Sequence, residues 1–185
     1  MLTNTEKSYG LLSRAFHGIM LLLFFIMLGV GLYMADLDKT DELRKQLFSL
    51  HMSTGVLFFV LVVLRIVWLK VSPAPKLPMG LTNWEKILTT IVKSLMYLLM
   101  LAIPIAGMLM VNSKGYPVSF YGLFDLPMLT GKSDGLHEFM EEAHEFLAFS
   151  LLFLVVVHAA GALKHRFLDT GPDLDVLKRM FGKPE

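Results

Sequence analysis

Residues 141–166 read EEAHEFLAFSLLFLVVVHAAGALKHR, a membrane-length apolar run with His144 near its start and His158 near its end. Ionisable side chains inside a bilayer are costly to bury and are functional candidates for that reason. The fourteen-residue spacing corresponds to ~21 Å of helix rise, and the two imidazoles return to within about 40° of one helix face. One helix therefore carries an imidazole near each edge of a ~30 Å hydrocarbon core. That geometry suits two cofactors stacked across a membrane.

Working outward, three further apolar runs accompany this one. The expected spans are about 11–34, 47–69, 87–111 and 139–163, with a polar C-terminal tail over 167–185. Of the 185 residues 55% are hydrophobic and only 18% charged, which excludes an ordinary soluble domain. The net charge of +1 and the lack of a basic, aromatic-interleaved patch argue against nucleic acid as a partner. Zero cysteines exclude disulfides, iron–sulfur clusters and covalent c-type haem attachment. The first run is longer than a signal-peptide core, and no small-residue cleavage site follows GLYMADLD, so it reads as a retained span.

Connections of alternating character join the spans. ADLDKTDELRKQ (35–46) is short and charged, and KVSPAPKLPMGLTNWEK (70–86) is broken by three prolines. Residues 112–139 are longer, with an aromatic middle suited either to cover a buried cofactor or to anchor at the interface. Thr54 and Gly55 keep one face of the second span small, open to another helix or a flat cofactor. Twelve Lys and Arg flank the side carrying both termini, and five (Lys39, Arg44, Lys45, Lys114, Lys132) flank the other. The positive-inside rule then predicts a multi-pass membrane protein with both termini in the cytoplasm and the first and third connections facing the periplasm or its equivalent.

Depth sorts the histidines. His17, early in an outward span, matches His158, late in an inward one; His51 and His144 match near the opposite face. Four-helix bundles build cofactor sites from facing helices, and His is a common axial haem ligand. The expected architecture is an all-α membrane protein, a four-transmembrane-helix up-down bundle holding two haems b, with these four residues as the iron ligands. Arg14, Arg65, Lys164 and Arg166 are candidate partners for haem propionates, or simple snorkelling interfacial cations. His137 is an alternative to His144, and His165 faces headgroups or a propionate. A His-based metal-binding protein stays open as a rival. Metal-only sites usually add Cys or carboxylates, and the spans hold no deep Asp or Glu.

Several segments carry a family resemblance: YGLLSRAFHGIM, SLHMSTGVLFFVLVVLRIVW, EEAHEFLAFSLLFLVVVHAAGALKHRF, the loop NSKGYPVSFYGLFDLP and the tail LDVLKRMFG. In this order and spacing the chain resembles the bacterial cytochrome b-561 family of integral dihaem cytochromes, over nearly its whole length. The resemblance implies His17 and His158 as ligands of a cytoplasmic-side haem, and His51 and His144 as ligands of a periplasmic-side haem. It also implies quinone-linked electron transfer, with ubiquinone or another quinone as substrate. One branch of the family oxidises superoxide, so a superoxide:ubiquinone oxidoreductase is one implied activity. A membrane-anchor or electron-conduit subunit serving a separate periplasmic redox partner is the other. No acid–base side chain is expected to be catalytic. Many relatives have a further His early in the third span, where this chain has Lys93 in IVKSLMYLL.

Overall fold

Helix boundaries follow local capping chemistry more closely than they follow the apolar runs. In the computed structural model, which describes residues 1–171 and 174–182, helix α1 spans Leu11–Asp36 and α2 spans Glu42–Val71. Helix α3 covers Asn83–Asn112 and α4 covers Asp134–Phe167. Asp41 starts α2 by accepting from the Leu43 amide (2.8 Å), satisfying a donor that the first helical turn leaves open. Thr82 and Glu85 form a capping box for α3, and Ser133 caps α4. Each of these three helices therefore begins several residues ahead of its hydrophobic run. All four are long and apolar enough to cross a membrane.

Packing is unequal around the bundle. Helix α1 lies along α2, α2 against α3, and α3 along α4. Helix α4 faces α1 and α2 across gaps where two cavities lie, one at each end. Between those ends Met20, Phe58 and Val62 are buried, with Leu23, Phe24, Tyr97, Met100 and Leu101 packed on them. Leu151, midway between the two α4 histidines, is only 2% exposed. These residues make an apolar partition between the cavities.

Two connections are more structured than their sequence suggests. Residues 112–139 contain a small hairpin, β1 (Ser119–Phe120) and β2 (Phe124–Asp125), paired antiparallel with Phe120 opposite Phe124. Tyr121 (φ 50°) and Gly122 (φ 72°) both take left-handed conformations, the requirement of a tight primed turn. The hairpin is tied to α2: Ser53 Oγ donates to the Ser119 carbonyl and accepts from the Tyr121 amide, both at 3.0 Å, and the Thr54 and Tyr121 hydroxyls pair at 3.0 Å.

The tail forms helix α5 (Val176–Phe181), capped by Asp175. It folds back on the N-terminal segment, with Tyr9 N donating to Arg179 O (3.0 Å) and Arg179 Nε to Lys7 O (2.8 Å). Val176, Leu177 and Met180 face a cavity, which gives this otherwise polar segment its reason to dock. Pro172–Asp173 and the last three tail residues, including Lys183, lie outside the described residues.

Candidate functional site

Both histidine pairs meet in space. His17 of α1 and His158 of α4 have ring centroids 6.4 Å apart, and His51 of α2 and His144 of α4 lie 6.2 Å apart. In each pair the rings stand apart, inclined at 62° and 67°, rather than packed against one another. Direct imidazole–imidazole hydrogen bonding within either pair is absent among the described residues.

The hairpin-end cavity, about 330 Å³, is lined by His51, His144, Phe24, Phe58, Leu151 and Arg44 among others. Its histidines are held by backbone features of the neighbouring helices. His144 Nδ1 sits 2.9 Å from the Ile103 carbonyl. That carbonyl is uncovered because Gly107, one turn later, has no side chain; a Cβ there would lie 3.2 Å from His144 Cε1 and Nδ1. Pro104, the interior proline of α3, lies between them. If Nδ1 carries the proton for Ile103, Nε2 is left as a free donor atom, the arrangement that orients metal-bound imidazoles. Gly31 makes room for His51 in a similar way, since a Cβ there would lie 3.3 Å from Cε1, but no carbonyl is within reach of its ring. His51 Nδ1 is buried with no hydrogen-bond partner, an exception among buried polar atoms. Two imidazoles in an apolar-walled cavity, one of them with an unpartnered buried nitrogen, fit haem iron.

At the other end, a cavity of about 240 Å³ is lined by His17, His158, Gly161, Tyr9, Lys93, Val92, Trp84 and the inner face of α5. A Cβ on Gly161 would meet nothing within 4 Å, so the wall beside His158 is open. Burial raises the Tyr9 phenol above its ordinary value, against the pull of Arg179 and Arg65.

The four cations expected to meet propionates separate on inspection. Lys164 Nζ is bound by Glu85 (2.8 Å) and Asp169 (2.9 Å). Arg166 pairs with Asp175 at 2.5 Å and does not line the cavity. Arg14 donates to the Tyr9 and Gly182 carbonyls (2.7 and 2.6 Å), and so fastens the two termini. Arg65 Nε donates to Tyr97 OH (2.9 Å) at the edge of the central partition. Lys164 lines the cavity and carries its carboxylate partners with it, whereas Arg166 is turned to the tail. Lys164 and then His165 hold the Asp169 carboxyl below the usual range.

Among the described residues, Glu85, His165 and Asp169 form the sole cluster with metal-ligand spacing, and Lys164 already supplies its cation. None of the four paired histidines belongs to it. His137 also stands apart, with Nδ1 on Met110 O (2.9 Å) and Nε2 near Glu141 (3.5 Å). Residues that the sequence left without a role at the cavities are Gly31, Gly107, Lys93 and Arg179. The glycines could have been flagged as small positions inside spans. The cations could not, since long side chains at span ends usually snorkel.

Comparison with known proteins agrees with this architecture. Residues 8–183 match the family model described as prokaryotic cytochrome b561. The chain is 34% identical to cytochrome b561 homolog 2 of Escherichia coli K12 over 181 residues, covering 98% of this chain and 95% of that protein. It is 25% identical to cytochrome b561 homolog 1 of the same organism over 118 residues, covering 64% of this chain and 66% of the relative.

Proposed function

The chain belongs to the prokaryotic cytochrome b561 family, haem-b electron-transfer proteins of the membrane, and from that premise we propose that it is a dihaem cytochrome passing electrons across the bilayer to or from quinone. His17 and His158 would ligate one haem iron, and His51 and His144 the other. The observation carrying this reading is the pair of centroid separations, 6.4 and 6.2 Å, in two cavities separated by an apolar partition.

Haem b supplies reversible one-electron chemistry at its iron. The chain contributes position: α4 spaces the two sites by ~21 Å, Gly107 and the Ile103 carbonyl orient His144, and the partition keeps water out of the path between sites. By the distribution of Lys and Arg, both termini are cytoplasmic in the inner membrane, and the hairpin end faces the periplasm.

Donor choice turns on charge at the hairpin end. Lys45 is paired with Glu42 and Lys114 with Asp134. Arg44 shares the cavity lining with two carboxylates, Glu141 and Glu145. Superoxide, a small anion, would be steered by Lys39, Lys132 and Arg44 against that acidic background, so its oxidation would slow as salt is added. The second reading, an electron conduit for a separate redox protein, draws on the hairpin, where Leu123 is 76% and Phe124 57% exposed.

The test is a quantified, dithionite-reduced spectrum of purified protein, followed by quinone reduction with superoxide supplied. Two low-spin b haems per chain and superoxide-driven quinone reduction support the first reading. Haem without that activity, together with a copurifying redox protein, supports the second. A folded chain with no haem overturns both.

A further inference from the structure

We infer that Lys93 and Arg179 form a two-cation carboxylate site in the cavity holding His17 and His158, which takes the propionates of the haem proposed there and raises its potential above that of the other haem. The inference rests on the dihaem reading.

Lys93 of α3 and Arg179 of α5 line the same cavity. Lys93 makes no ion pair or hydrogen bond with a described residue. Arg179 gives Nε to the Lys7 carbonyl and Nη2 to the Glu6 carbonyl, which are neutral acceptors that cancel none of its charge. Glu85 is the one carboxylate among the described residues lining this cavity. It is already bound by Lys164 Nζ at 2.8 Å and by Thr82 Oγ1 at 2.7 Å. Asp169 is likewise held by Lys164 and His165. Two cations facing one poorly screened space repel each other unless an anion enters between them.

The shape of the space selects the anion. Trp84, Leu88, Val92 and Val157 make its walls apolar, so the ligand needs a flat apolar body with carboxylate ends. Positive charge there stabilises the added electron. The opposite cavity is lined by one Arg, Arg44, and by two carboxylates, Glu141 and Glu145, and so lacks this excess of positive charge. Electrons would run downhill from the hairpin end to the end holding the termini.

The experiment is a spectroscopic redox titration of purified wild type, Lys93→Met and Lys93→Arg, with haem per chain counted and His17→Ala used to assign the waves. Lys93→Met should keep two haems and weaken reduction of the His17/His158 haem at least tenfold, which is 59 mV for one electron. The other wave should stay in place, and Lys93→Arg should restore the shifted one. Loss of that haem alone in Lys93→Met, with retention in Lys93→Arg, also supports the site. Should Lys93→Met fail to fold, Arg179→Gln must move the same wave in the same direction. Two unmoved waves at two haems per chain, or equal shifts in both, overturn the inference. A wild type without two haems overturns the dihaem reading instead.

Discussion

Replacing Gly107 by Ala should loosen the proposed hairpin-end haem while leaving the fold as stable as before, or more so. The added Cβ would stand 3.2 Å from His144 Cε1 and Nδ1, where carbon contacts prefer about 3.5–4.0 Å. The ring must therefore retreat by several tenths of an ångström. Its bond to the Ile103 carbonyl is 2.9 Å long, and a retreat of about 0.5 Å takes it past the ~3.2 Å limit of a good bond. Losing that bond costs about 1 kcal/mol, and losses of this orienting kind weaken metal sites by about 10–100-fold. Helix propensity pushes the other way, since Ala is favoured over Gly by about 1 kcal/mol inside a helix. The assay is the rate of haem transfer to a scavenging apoprotein, read beside thermal unfolding. We expect about tenfold faster loss from one of two sites, a smaller effect for Gly31→Ala with its 3.3 Å contact, and none for Gly29→Ala, whose Cβ meets nothing within 4 Å. Equal haem retention in all three variants would refute the reasoning.

Three other outcomes are expected. His51→Ala and His144→Ala should each lose the same haem, and His17→Ala and His158→Ala the complementary one; His137→Ala should keep both, as pyridine haemochrome counts would check. Ser53→Ala removes the hydroxyl that binds both Ser119 O and Tyr121 N, so hydrogen exchange over residues 118–126 should rise by an amount equivalent to about 1–2 kcal/mol, with both haems retained. The Asp169 carboxyl has its folded pKa lowered by Lys164 and His165. Its stabilisation is thus present above the ordinary carboxylate value of roughly 3.9 and is lost as pH falls through the lower folded value. Proteolysis of the C-terminal segment should accelerate in that acid window in wild type, and Asp169→Asn should be equally cleavable above and within it.

Fixed helix geometry made the centre of this molecule legible. Rise and rotation per residue are constants, so four histidines at positions 17, 51, 144 and 158 could be paired by depth before any contact was known, and the rings do meet in those pairs. Connections obey weaker rules. The hairpin at 119–125 depends on a Tyr121–Gly122 turn and on Ser53, a residue far away in sequence. Helix α5 docks because one face of VLKRMF is apolar, a pattern too short to stand out against a polar tail.

Charged side chains were hardest to read, and the reason is physical. Depth places a cation near the interface, but a Lys or Arg reaches several ångströms in any direction, and its role is set by the nearest anion. Lys164 and Arg166 sit at the depth expected for propionate partners, and in the structure they pair with Glu85, Asp169 and Asp175. Their neutralisation is what makes Lys93 and Arg179 distinctive: with the local acids already paired, these two supply charge that no described carboxylate balances. The opposite cavity is lined by Arg44 together with Glu141 and Glu145. Two chemically equal pairs of imidazoles thereby sit beside unequal sets of charges, and in the proposed dihaem protein that inequality, more than the ligands themselves, would give electron flow a preferred direction.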